Sequence, residues 1–369
     1  MTFCYSPWTN IDISPQGDIS PCCKFQMSKY NQKFDVQNHT LAQYLGSEFL
    51  NKVKQDFQQG QWPQGCERCQ IEEMHNIQSK RQLDFARWSK HYDKNPNKII
   101  TASIAFGNTC NLKCITCNPY SSSRWQSEYK SIYNIEFDSA RFYRDDFVEN
   151  FAQQASELVH LDIPGGEPLI SGVPEQQRLL TYYIDTNQAQ NISLHYTTNA
   201  TVFADQTWWN LWQHFKEVDL QLSVDGIDRR YEYIRYPGNW NMLVNNVQKY
   251  LQSQTKQFRL SISHTVSAYN IYYLDEFFDW CYSIGLPRPW LGRVHNPKHM
   301  RPTVWPNKNF IVDKLNSSQH ADVKNWISLL QSQDDSQHFE LFRSKVVEHD
   351  RYRGIDFATT FPELANLLR

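Results

Sequence analysis

The stretch IITASIAFGNTCNLKCITC, Ile99–Cys117, joins an apolar run of strand type, Ile99–Phe106, to a loop that carries three cysteines. Downstream of it, short β-like runs recur at Leu158–Ile163, Ile192–Thr197, Val218–Val224, Phe258–Val266 and Pro289–Val294. Helix-like stretches lie between them, near 120–155, 173–187, 205–215, 240–253 and 272–284. Six strand–helix alternations over about 200 residues predict an α/β fold with a parallel sheet and right-handed crossovers. Periodicity alone fits an open twisted sheet or a partial barrel. In either, the chemistry belongs at the carboxyl ends of the strands.

Upstream, residues 1–98 read as irregular. Ile11-Asp12-Ile13, the turn residues Pro15-Gln16-Gly17 and then Ile19 predict a short hairpin, and Thr40–Gln58 has helical spacing. The polar run Lys90–Lys98 reads as a linker, and residues 306–369 as a mostly helical extension. The expected division is 1–98, 99–305 and 306–369.

Composition narrows the function classes. The 369 residues carry 37 basic and 39 acidic side chains, a formal charge of −2, which argues against bulk nucleic-acid binding. No run approaches the ~18 apolar residues of a membrane span. Met1–Asn10 lacks a charged segment followed by an apolar one, which argues against secretion. The expectation is a soluble cytoplasmic globular protein. Eight of its nine cysteines fall within the first 117 residues, and in such a chain clustered cysteines read as metal or cluster ligands.

Cys110, Cys114 and Cys117 form a C-x3-C-x2-C loop directly after the first strand of the alternating region. Three thiolates on one loop suit a compact soft-metal centre, and three ligands for a four-iron cubane leave one iron open to a reactant. This spacing resembles the radical S-adenosylmethionine (SAM) superfamily. Pro164-Gly165-Gly166-Glu167-Pro168 after the second strand resembles that family's GGEP element, which implies a SAM amino group at Glu167. Tyr196-Thr197-Thr198-Asn199 and Ser223-Val224-Asp225-Gly226 end the third and fourth strands, where the family places further SAM contacts; Asn199, Ser223, Asp225 and Arg235 are the candidates. Two positions depart from the pattern: Ala200 stands for a usual Gly, and Thr116 for a usual aromatic. The resemblance implies a partial (β/α)6 barrel, a SAM-binding 4Fe-4S cluster, and a 5′-deoxyadenosyl radical that abstracts a substrate hydrogen.

Cys4, Gly17 and Cys22 give C-x12-G-x4-C, followed much later by Cys66-Glu-Arg-Cys69. This resembles the SPASM and Twitch segments of radical SAM enzymes, which usually follow the core and here precede it. The resemblance implies a small irregular amino-terminal domain with a second 4Fe-4S cluster on Cys4, Cys22, Cys66 and Cys69. A structural zinc site would use the same four ligands. Cys23 neighbours Cys22 and should point the other way in extended chain. Cys281 reads as a buried apolar residue.

His195, His264, His295 and His299 read as structural. Tyr231–Tyr236 is a candidate lining of the substrate cavity, Arg293–Arg301 a candidate contact for adenine or an anionic substrate, and Trp208, Trp209 and Trp212 read as core. The resemblance implies a peptide or protein side chain as substrate and an electron donor such as flavodoxin or ferredoxin. The alternatives are a small-molecule substrate, such as a sugar, nucleotide or cofactor precursor, and a non-catalytic iron–sulfur or zinc module.

Overall fold

The computed structural model describes residues 2–74, 78–92, 98–137 and 143–368. Residues 93–97 of the expected linker and 138–142 of the expected 120–155 helical stretch lie outside the described residues. The chain forms two compact units. The first comprises residues 1–110, 138–197 and 204–219, and the second residues 111–137, 198–203 and 220–369.

In the first unit, β1 (Asn10–Ile13) and β2 (Ile19–Ser20) form the expected antiparallel hairpin, Asp12 opposite Ser20. The turn between them places Gly17 at φ 81°, a backbone region that suits glycine. β1 also runs parallel to β3 (Thr101–Ile104), which the sequence reading did not foresee. β4 (His160–Ile163) and β5 (Ser193–Thr198) continue the parallel array. The start of β6 (Glu217–Ser223), as far as Asp219, belongs to the same unit.

These strands alternate. Ile11, Ile13, Ala102, Ile104, Leu161, Ile163, Leu194 and Tyr196 are buried on one face. Asp12, Ser103, Asp162 and His195 occupy the other, in direct register from strand to strand. A parallel sheet packed on both faces reads as unbroken apolar runs, so the alternation marks a second, polar face. Each buried aliphatic side chain contributes roughly 1.5–3 kcal/mol. A one-residue slip would bring Asp12, Asp162 and His195 to the apolar face, so the apolar set fixes the register. Helices Phe147–Gln154 and Val173–Asp185 bury Phe151, Leu179, Leu180 and Tyr183 at helical spacing.

The amino-terminal segment is less irregular than expected. Thr40–Gln58 is two helices, Leu41–Leu45 and Glu48–Gln58. Thr40 caps the first through a reciprocal bond with Gln43, and Ser47 caps the second by accepting from the Leu50 N–H. Helices Glu67–Met74 and Lys80–Tyr92 follow.

The second unit holds β6 from Leu220 onward, β7 (Phe258–Val266) and β8 (Trp290–Arg293), with β7 and β8 parallel. Helices Trp240–Gln252, Leu274–Ser283 and Phe339–Arg353 belong to it. So does a short helix, Asp228–Ile234, that the periodicity did not reveal. Its carboxyl-terminal core is aromatic: Tyr233, Tyr269, Phe342, Phe357 and Phe361 are buried and in ring contact. Among the described residues no helix is long and apolar enough to cross a membrane.

Candidate functional site

The four amino-terminal cysteines converge although they are spread over 66 residues of chain. Burial pushes each thiol up, and three of them feel others of the set: Cys4 feels Cys69, Cys22 feels Cys4 and Cys66, and Cys66 feels Cys4 and Cys69. Local bonds hold the segments together. Gln26 N–H donates to the Gly65 carbonyl at 3.0 Å, joining the Cys22 and Cys66 loops. A Cβ on Gly65 would lie 2.5 Å from the Phe25 ring, so this contact requires glycine. Arg81 donates to the Phe3 carbonyl at 2.7 Å and pairs with Glu73, tying the Cys4 segment to the helix that carries Cys69. Cys23 is the one exposed cysteine of the amino-terminal group, and its charged neighbours include Lys80, Asp12 and Asp162. The chain turns at this point rather than running extended: Phe25 N–H donates to the Cys22 carbonyl at 3.0 Å.

This set of thiols, one buried and three half-buried, fits a soft iron–sulfur centre by donor chemistry. None of the nine cysteines is in a disulfide. Among the described residues, no three His, Cys, Asp or Glu side chains stand close enough to share one metal ion. A cubane spreads its ligands over separate irons.

In the same unit the turn after β4 packs on the strand that leads to Cys110. Gly166 N–H donates to the Gly107 carbonyl at 3.2 Å, and Glu167 N–H to the Thr109 carbonyl at 2.8 Å. Gly165 has φ 118°, and a Cβ on Gly166 would lie 2.2 Å from the Thr109 oxygen. Gly166 thus lets the turn approach the backbone at Asn108 and Thr109 closely. Glu167 is fully buried, and its Oε1 accepts from the Leu169 N–H at 3.1 Å.

Cys114 and Cys117 open the second unit, and their loop is pinned from several sides. Lys113 N–H donates to the Tyr236 carbonyl and Ile115 N–H to the Ile234 carbonyl, both at 2.7 Å. Ser122 Oγ donates to the Leu112 carbonyl at 2.6 Å and Trp125 Nε1 to the Cys114 carbonyl at 3.0 Å. Arg235 is buried with Nη1 3.9 Å from Cys114 Sγ and Nη2 2.8 Å from Asp225 Oδ2. Asp225 also accepts from the Thr265 N–H at 2.7 Å. A guanidinium beside a cysteine sulfur favours thiolate, which suits a cluster ligand.

Asn199 donates to Asn111 Oδ1 at 2.9 Å and accepts from the Thr201 N–H at 2.9 Å, so it braces the first residue after Cys110. Ala200 stands at φ 58°, a conformation that favours glycine. Ser223 ends β6, half-buried.

Behind the loop lies a network that the sequence did not disclose. Glu128, fully buried, accepts from His349 Nδ1 at 2.9 Å and Arg353 Nε at 3.0 Å, and pairs with Lys113 Nζ at 2.8 Å. Burial pushes its carboxyl up, but these three donors outweigh that and hold it at about 2. His264 is a structural histidine: it is buried, held at about 4, and its Nδ1 meets the Val224 carbonyl at 2.9 Å.

Comparison with known proteins bears on the first of these arrangements. Residues 4–70 match the family model SPASM, an iron–sulfur cluster-binding domain. This stretch resembles a SPASM segment. All four converging cysteines lie within it. No curated protein sequence matches the chain.

Solved structures overlap it loosely. Native anSMEcpe with bound AdoMet is 14% identical over 70% of this chain and 63% of its own, with a TM-score of 0.44. Streptococcus suis SuiB bound to precursor peptide SuiA is 14% identical over 99% and 75%, at 0.39. TYW1 with a lysine-pyruvate adduct is 14% identical over 74% and 90%, at 0.35. The chain thus spans less than two thirds of the length of anSMEcpe. Scores below 0.5 are too low for functional transfer, so the SPASM match stands without them.

Proposed function

We propose that this chain is a radical SAM enzyme that removes a hydrogen atom from a peptide or protein side chain. The observation that carries this reading is the coexistence, in one chain, of a SPASM-like segment and a C-x3-C-x2-C loop on a parallel strand. Cys110, Cys114 and Cys117 would hold the SAM-binding 4Fe-4S cluster, and Cys4, Cys22, Cys66 and Cys69 a second one. Bound together, cluster and SAM supply a 5′-deoxyadenosyl radical.

The residues around them have definite work. Glu167, buried in a glycine-shaped turn, offers a carboxylate to the SAM ammonium. Arg235 balances charge at Cys114 while Asp225 holds its guanidinium in place. Asn199 steadies the loop through Asn111, and Ser223 offers a hydroxyl at a strand end. An electron donor of flavodoxin or ferredoxin type would reduce the first cluster, in the cytoplasm.

Anaerobically reconstituted, dithionite-reduced protein should convert SAM to 5′-deoxyadenosine and methionine. Glu167→Ala should weaken SAM binding by roughly 1.5–3 kcal/mol, the scale of a lost charged hydrogen bond. No 5′-deoxyadenosine from fully loaded wild-type protein would contradict the reading.

A further inference from the structure

The polar face of the first unit has no part in the cluster chemistry above. Its residues come into one row by register: Asp12 opposite Ser103, Ser103 opposite Asp162, and Asp162 opposite His195. His195 Nδ1 lies 2.8 Å from Asp162 Oδ1, and its Nε2 faces Asp219 Oδ2 at 3.7 Å. These groups are densely surrounded by protein, yet His195 keeps 21%, Asp162 31% and Asp219 36% of side-chain surface accessible. The row is therefore reachable by a group from solvent.

Other elements close in on the row. Helix Lys80–Tyr92 brings Lys80, engaged by Asp84 at 2.7 Å, and Trp88, whose ring centroid lies 4.9 Å from that of His160. Arg87 adds positive charge near His195.

The environments drive the titrating groups apart. Burial raises Asp12 to about 6 and lowers His160 to about 3. At His195 burial opposes the charge, but Asp162 and then Asp219 overcome it, and the net shift is upward against Arg87. Asp162 is shifted down, against its burial, by the same imidazole. Titratable groups separated in this way along one row of a sheet face are the pattern of paired acid and base roles.

We propose that His195, oriented by Asp162 and facing Asp219, is the acid–base residue of a substrate site on this sheet face. It exchanges a proton through Nε2 with an O–H or N–H group of a bound peptide side chain. The step is a proton transfer only: the X–H bond yields its proton to the Nε2 lone pair, Nδ1–H stays on Asp162, and Asp219 accepts from the new Nε2–H. It rests on the radical SAM reading only for the reaction that it serves.

The test therefore uses no SAM. The probe is p-nitrophenyl acetate, offered to the reconstituted protein. An accessible imidazole attacks the acetyl carbonyl, p-nitrophenolate leaves with the bonding pair, and water releases acetate. His195→Gln should cut p-nitrophenolate release at least fivefold. Asp162→Asn should move the midpoint of its pH profile down, because a carboxylate no longer stabilises the imidazolium. Should these variants fold poorly, 13C-histidine NMR of the wild-type protein gives the same answer. One imidazole with Nδ1–H as its neutral tautomer should titrate above the ordinary histidine value. Wild-type release in His195→Gln, an unmoved profile in Asp162→Asn, or no such imidazole would overturn the proposal. Failure to cleave SAM would refute the radical SAM reading and leave this result standing.

Discussion

At the scale of single residues, Glu128 shows how charge is made stable inside the fold. A buried carboxylate is costly unless its oxygens are satisfied, and here His349, Arg353 and Lys113 satisfy them. Glu128→Gln removes the charge and leaves cationic partners buried, which should cost about 3 kcal/mol at neutral pH. The pH dependence has a definite sign. The folded-state value, about 2, is below the ordinary carboxylate value, so the stabilisation is full above about pH 4.5. It fades as pH falls toward 2. Denaturant unfolding of the two proteins should therefore differ most at neutral pH and converge on acidification; a constant gap would contradict this. Neither Glu128 nor the pair Asp162–His195 was legible in the sequence. His349 and Arg353 lie 221 and 225 residues from Glu128, and Asp162 lies 33 from His195, so only packing or strand register brings them together. The cysteine motifs were legible because their spacing is local.

At the scale of elements, periodicity revealed all six strands of the alternating region within a few residues; β3 to β7 each carry a buried apolar face, whereas β8 buries none of its four residues. It failed where burial is sparse. Helix Lys80–Tyr92 buries only Tyr92 among its described side chains, and Glu67–Met74 only Cys69, so neither shows an apolar stripe. β1 is four residues long, and its pairing with β3 joins residues about ninety apart, which no local pattern encodes. The turn after β4 carries a prediction of its own. A side chain at Gly166 would meet backbone, which cannot swing aside as a flexible side chain can. Gly166→Val should lower stability by about 1–3 kcal/mol and displace Glu167 from its buried position. Thermal unfolding together with SAM binding would check it. Unchanged stability and affinity would mean that the turn accommodates the valine.

At the scale of the whole molecule, the account assigns two cysteine sets to two iron–sulfur centres. The SPASM match covers one set, residues 4–70, and the strand-borne loop carries the other. The direct test is iron counted per chain after anaerobic reconstitution, in the wild-type protein and in the Cys110→Ala, Cys114→Ala, Cys117→Ala triple variant. Two four-iron clusters predict about eight irons in the first and about four in the second. About four irons plus one zinc in the wild-type protein, or an unchanged count in the variant, would contradict the account.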